Sequence, residues 1–159
     1  MLPIRTRLPN DSVGVAGVHH VCSLLSMRGL IAMPTIRNTP GIDILVIDPA
    51  AKASAYLQVK TSQRKVVFWP TPMPERIMRG PNFFCVFVRY VPTDKTFQVF
   101  IEDSDSVARV VAGNIREQER RGRRVFPHWT LPRGQDTQRN LEARWSTWRP
   151  RNPQNRRRP

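Results

Sequence analysis

The sequence predicts an α/β fold in a single domain. Apolar residues recur at helical spacing near the N-terminus, short apolar runs typical of strands follow, and a second helical pattern comes after them. The chain has 159 residues, of which 40% are hydrophobic, and this is enough for one core. We therefore predict an N-terminal arm over residues 1–12 and a single domain over residues 13–148.

The first predicted element is a helix over residues 13–28. Its apolar residues lie at helical spacing, namely Val18, Val21, Cys22 and Leu25. Asp11 or Ser12 is expected to cap its start, and Gly29 to end it.

Strands are predicted next. Residues 30–36 indicate an edge strand because Pro34 interrupts them. Residues 42–47 form an apolar run with one charge, Asp43, which is typical of a strand buried on both faces. Residues 55–61 form another strand, on which Gln58 and Lys60 face the same side because they are two apart. Residues 66–69 are predicted to extend this hairpin.

Three prolines between residues 70 and 74 indicate an irregular connection. Strands follow over residues 83–90 and 97–101, joined by a hairpin loop. Ser104 is expected to cap a last helix, whose predicted buried stripe is Val107, Val110, Val111 and Ile115.

After residue 120 the composition shifts to Arg, Pro, Gln and Asn, and we expect a basic, disordered tail over residues 149–159. Two interpretations of the tryptophans there stay open, stacking on bases or packing on the core: Trp129, Trp145 and Trp148.

The charge of the chain indicates a polyanionic partner. It has 26 basic and 12 acidic residues, a net charge of +14, and nucleic acid is the usual counterpart of such an excess. Because nearly all the basic residues are arginines, a GC-rich genome is the alternative explanation. The candidate nucleic-acid-binding residues are Arg37, Arg64, Arg120, Arg121, Arg123 and Arg124.

Other classes of protein are disfavoured. Cys22 and Cys85 lie in apolar runs and are expected to be buried thiols, and no CxxC or HxxxH spacing indicates structural zinc. No run of 18 apolar residues predicts a membrane span, and the first twenty residues do not have the pattern of a secretory signal. We therefore expect a cytoplasmic protein without a membrane partner.

One group of residues carries chemistry. If the second and third strands pair antiparallel, Asp43 lies near Gln58 and Lys60 at one end of the hairpin. Asp43, the Gln58 side-chain carbonyl and the Val59 peptide carbonyl are oxygen ligands suited to Mg²⁺ or Mn²⁺. Lys60 is placed to orient or deprotonate a water, or to stabilise a charged transition state. Each of these residues also has an explanation without function. Asp43 would cap the preceding turn, and Gln58 and Lys60 would be solvated residues on the open face of a strand.

This arrangement of Asp43, Gln58 and Lys60 on a hairpin resembles the PD-(D/E)xK nuclease superfamily, in particular an uncharacterised bacterial, restriction-endonuclease-like branch with a D…QxK motif. The resemblance covers residues 13–150 approximately, and its sharp motifs lie within residues 43–61. The segments that carry it are Gly17…Gly29, Thr39-Pro40-Gly41-Ile42-Asp43-Ile44-Leu45-Val46 and Leu57-Gln58-Val59-Lys60-Thr61.

The resemblance implies a restriction-endonuclease-like core, a central mixed sheet flanked by helices, and Mg²⁺-dependent endonucleolytic hydrolysis of DNA. Homodimers are common in the superfamily. The chain departs from its pattern twice: Gln58 replaces the second acid, and Val18 stands where relatives carry a first-helix Glu. His19, His20 and Thr61 are accessory candidates. The alternative is a catalytically degenerate nuclease fold that acts as a nucleic-acid-binding or protein-interaction module.

Overall fold

The computed structural model describes residues 7–36, 40–49, 53–64, 68–131, 144 and 147–150. This part of the chain forms two helices, seven strands and one 3₁₀ turn. In chain order they are α1 (Asn10–Ser26), β1 (Ile31–Pro34), β2 (Ile44–Asp48), β3 (Ala53–Ser62), β4 (Phe68–Pro70), the 3₁₀ turn (Pro74–Arg76), β5 (Phe83–Val91), β6 (Thr96–Asp103), α2 (Ser104–Arg120) and β7 (His128–Thr130).

The central sheet has five strands in the order β1-β2-β3-β5-β6. β1, β2 and β3 pair antiparallel in succession, β3 pairs parallel with β5, and β5 pairs antiparallel with β6. The crossover from β3 to β5 contains β4 and the 3₁₀ turn. The fold is therefore α/β with a mixed central sheet, as predicted, and β1 is an edge strand, as its proline indicated.

The two faces of the sheet carry separate cores. On one face, Val21 and Leu25 of α1 pack with Leu57, Val86 and neighbouring apolar residues. On the other face, α2 and the tryptophans of β4 and β7 cover Phe87 and Phe100. Strand residues alternate between the two clusters because successive side chains of a strand point to opposite faces. The α1 face holds the cluster that positions the hairpin β2–β3.

The described part of the predicted segment 66–69, which begins β4 at Phe68, does not extend the β2–β3 hairpin, contrary to the prediction. β3 already pairs with β2 on one side and β5 on the other, so β4 pairs antiparallel with β7 in a small second sheet. The Trp69 indole N–H donates to the Val88 carbonyl at 2.9 Å, which joins this second sheet to β5. β2 also alternates buried and half-buried residues, so it is not buried on both faces as predicted.

The predicted helix caps were wrong by one to three residues. α1 has Pro9 at its N-cap, so Asp11 and Ser12 lie within its first turn. α2 is capped by Asp103, whose carboxylate accepts the Ser106 N–H at 2.8 Å. The α2 stripe also differs, since Val110 is 40% exposed and Ala108 takes a buried place.

The tryptophans that the structure describes pack on the core. Trp129 stacks on Phe87 with ring centroids 4.0 Å apart, and Trp148 meets Phe84 edge-on at 5.2 Å. These contacts confirm the packing interpretation for both residues, whereas Trp145 and residues 151–159 lie outside the described residues. Cys22 and Cys85 are free thiols, as predicted, but only Cys85 is buried and Cys22 is half-buried. Neither described helix has the length and apolar character that a membrane span requires.

Candidate functional site

Asp43 lies at the end of the β2–β3 hairpin, directly before β2 begins. Its N–H donates to the Leu57 carbonyl at 2.8 Å, and its Oδ2 accepts the Val59 N–H at 2.7 Å. Val59 stands between Gln58 and Lys60, so the acid is bonded to the middle residue of the predicted QxK segment. We call this group the hairpin lip: Asp43, Gln58, Val59 and Lys60.

The strand pleat decides where the side chains of the hairpin lip point. Val59 belongs to the core on the α1 side, and Gln58 and Lys60 therefore leave β3 on the opposite face. There they stand beside Cys85 and Phe87, their partners on β5. Burial of the Cys85 thiol raises its pKa to about 12, so it stays a thiol beside the hairpin lip.

The Asp43 carboxylate lies at the level of the β3 backbone rather than in an ion pair. Because Oδ2 bonds to the Val59 nitrogen, it lies within about 5 Å of the Gln58 Cα. Within the described part of the chain, no ion pair joins Asp43 to Lys60. The structure thus brings the acid to the backbone between the amide and the amine.

A cleft of about 370 Å³ opens beside Asp43 on the α1 side. It lies between the first turns of α1 and the end of β1, and Asp11, His19, Asp43 and Val59 are among its lining residues. His19 is exposed in this cleft. Asp11, which was predicted only as a helix cap, is a second acid at this cleft. Its spacing of eight residues from His19, about two helical turns, is the signal that places both on one side of α1.

The atoms that the hairpin lip offers as ligands determine which metal ion it could hold. Among the residues that the structure describes, no three His, Cys, Asp or Glu side chains are grouped to hold a metal ion. The oxygens available are the Asp43 carboxylate, the Gln58 amide and the Val59 peptide carbonyl. Mg²⁺ is commonly held by one or two carboxylates and keeps several waters. The residues therefore fit a weakly held, largely hydrated Mg²⁺.

His20 and Thr61 lie away from the open cleft. His20 stacks on Phe97 with centroids 4.4 Å apart, and burial lowers its pKa. The Thr61 hydroxyl is buried against Gly17 of α1 and has no hydrogen-bond partner. The pleat puts Thr61 on the α1 face, opposite Gln58 and Lys60. The structure therefore places both residues in helix–sheet packing.

The candidate arginines are dispersed over the surface. The Arg64 guanidinium lies 5.5 Å from the Phe68 ring centroid. Arg120 and Arg121 both pair with Glu117, at 2.8 and 2.6 Å, so part of their charge is balanced locally. The exposed residues Arg123 and Arg124 follow the end of α2, and Arg37 lies outside the described residues.

No protein-family model, curated protein or solved structure matches this chain. Similarity therefore assigns no activity to it. What bears on function is the chemistry of the hairpin lip and the net charge of +14.

Proposed function

We propose that this chain is a cytoplasmic, Mg²⁺-dependent endonuclease that hydrolyses phosphodiester bonds of DNA at a site of the PD-(D/E)xK type. The observation that carries the proposal is the 2.7 Å hydrogen bond from the Val59 N–H to Asp43 Oδ2. It holds the acid against the β3 backbone between Gln58 and Lys60, whose side chains leave the strand on the face opposite α1. The element order, with a helix, three antiparallel strands, a crossover and a parallel strand, supports a restriction-endonuclease-like core.

Each residue of the hairpin lip has a role in this proposal. Asp43, the Gln58 amide oxygen and the Val59 carbonyl would hold Mg²⁺ or Mn²⁺, which neutralises phosphate charge and makes a bound water more acidic. Lys60 orients the attacking water through its ammonium, or stabilises the negative charge that develops on the phosphate. An ammonium suits this role because it is a compact charge on a flexible stem.

The charge of the chain supports DNA as the partner. Fourteen net positive charges attract a polyanion and favour contacts to its phosphates. Homodimers are common in the nuclease superfamily that the chain resembles, and two active sites can cut both strands of a duplex together, so we include a homodimer in the proposal.

A second candidate is a nuclease-like fold that binds nucleic acid without cutting it. Two features favour it: Gln58 is uncharged, and the described residues contain no three-ligand group of His, Cys, Asp or Glu. A metal held by a single carboxylate is held weakly. This candidate predicts salt-sensitive DNA binding that does not depend on a divalent cation.

Cleavage of supercoiled plasmid in Mg²⁺ or Mn²⁺, with EDTA as the blank, separates the two candidates. We expect cleavage by the unaltered chain, and a loss of about 100-fold or more in Asp43→Asn and in Lys60→Ala. Asp94→Asn is the matched control, because Asp94 is an exposed acid in the turn between β5 and β6. DNA binding without metal-dependent cleavage would favour the second candidate. Unchanged cleavage in both site variants would remove these residues from the mechanism.

A further inference from the structure

A second cavity, of about 540 Å³, lies where β3 and β5 end. This volume falls within the range of about 300 to 1,000 Å³ that is usual for ligand pockets. The cavity shares no lining residue with the cleft at Asp43. We call it the arginine pocket, after its principal lining residues: Arg7, Gln63, Arg64, Arg89, Tyr90 and Pro92.

Separate segments of the chain bring the arginines together. Parallel pairing sets Ser62 beside Arg89, so β3 and β5 end side by side. Gln63 binds the main chain of Leu8 at both ends of its amide: Oε1 accepts the Leu8 N–H at 3.0 Å, and Nε2 donates to the Leu8 carbonyl at 2.6 Å. This pair of hydrogen bonds fixes Arg7 at the rim.

The floor of the arginine pocket is apolar and held in place. Tyr90 packs on Phe97 with ring centroids 5.0 Å apart, and Phe97 is stacked on His20. Pro92 and the neighbouring valine also line the pocket and add to its apolar surface. An apolar, partly aromatic floor under a cationic rim suits a flat ring that carries a phosphate.

We infer that the arginine pocket binds one nucleotide of a single-stranded nucleic acid, with its base against Tyr90 and Pro92 and its phosphate between Arg7 and Arg64. A base in a duplex is stacked and paired, so only an unpaired base can enter. Gln63 lies three residues beyond Lys60, about 10 Å along the strand direction. The inference rests on the proposed function to the extent that the chain acts on nucleic acid, but it needs no cleavage.

Fluorescence anisotropy in EDTA tests binding apart from catalysis. The probes are a labelled oligo-dT of about 15 nucleotides and a mixed-sequence duplex of the same length, titrated at several salt concentrations. Arg7→Ala and Arg64→Ala should each weaken oligo-dT binding about fivefold at 0.1 M salt, and lower the slope of log K against log salt by about 0.7. The matched control is Arg116→Ala, an exposed arginine of α2 that should change binding less than about twofold.

Tyr90 tests the floor of the arginine pocket. Tyr90→Ala should weaken oligo-dT binding about tenfold, whereas Tyr90→Phe keeps the ring and should bind like the unaltered chain. Because Tyr90 packs on Phe97, thermal unfolding of both variants verifies that they fold. Should Tyr90→Ala not fold, Tyr90→Leu replaces it, with the same loss expected.

The outcomes distinguish this inference from the nuclease proposal. Equal losses in Arg64→Ala and Arg116→Ala, or equal losses for duplex and oligo-dT, would overturn the arginine pocket even if plasmid is cut. Losses confined to oligo-dT and to the pocket variants would support it even if no plasmid is cut.

Discussion

Gly17 of α1 lies directly against Thr61 of β3. A Cβ atom on Gly17 would clash with the Thr61 hydroxyl and come within 2.9 Å of the Thr61 Cβ. This contact sets the distance between α1 and the sheet, and therefore the width of the cleft in which His19 and Asp43 lie.

Gly17→Ala should therefore destabilise the fold. Overpacking of this kind costs about 1–3 kcal/mol in the free energy of unfolding, measured by denaturant titration. Gly14 is the matched control, since nothing lies within 4 Å of a Cβ placed there. Gly14→Ala should stabilise α1 by about 0.5–1 kcal/mol. Equal effects of the two substitutions would mean that α1 does not approach β3 as described.

Asp43 also has a structural role, which separates its variants. Asp43→Ala leaves the Val59 N–H without its acceptor and should cost about 1–3 kcal/mol of the free energy of unfolding. Asp43→Asn keeps an oxygen at that place and should cost clearly less. Denaturant titration of both variants gives the comparison, and equal stability of the two would contradict the hydrogen bond to Val59.

The Asp103 cap predicts a pH dependence of stability. Burial opposes ionisation of this carboxyl, but hydrogen bonds from Ser106, together with the interactions with Glu102 and Arg109, outweigh burial and lower the pKa below its usual value. Because the pKa is lower in the folded chain, ionised Asp103 stabilises the fold fully above its pKa in the unfolded chain, about 3.9. This stabilisation is lost as the pH falls through the pKa of Asp103 in the folded chain. Asp103→Ala should cost about 1 kcal/mol at pH 7.

The difference in stability between the unaltered chain and Asp103→Ala should then narrow as the pH falls below about 4. Chemical denaturation at a series of pH values measures it. A difference that stays constant down to pH 2 would show that the ionised cap is not its source.

Trp129 holds the second sheet on the core. It is buried and stacks on Phe87, and it pairs with Trp69 across β4 and β7. Trp129→Ala should cost about 3–5 kcal/mol of the free energy of unfolding. Phe126→Ala is the control on the same segment, because Phe126 is 49% exposed and should cost far less. Similar losses in both variants would argue against the stack on Phe87.

The features that the sequence predicted well are local ones. The period of two along β3 places Gln58 and Lys60 on one face, and hairpin pairing brings Asp43 to the same end of the strands. The mixed central sheet was expected from the resemblance to the nuclease superfamily, and the strand order agrees with it. Register within the hairpin is set by the apolar residues that must face α1.

The features that the sequence did not predict depend on distant segments. β4 and β7 have three residues each, and Trp69 and Trp129 pair across about 60 positions, so no local pattern marks the pairing. Asp103 and Ser104 are both residue types that favour a helix N-cap. Asp103 takes this position because β6 ends there and α2 begins at the next residue. Asp11 reaches the cleft only because α1 packs where Gly17 meets Thr61.

The Mg²⁺ concentration that half-saturates plasmid cleavage, compared between the unaltered chain and Gln58→Glu, tests the hairpin lip most directly. A second carboxylate beside Asp43 should lower that concentration on the order of tenfold, because ligand charge sets the affinity for a divalent cation. Absence of metal-dependent cleavage in both proteins, or the same half-saturating concentration in both, would contradict a metal site formed by Asp43 and Gln58.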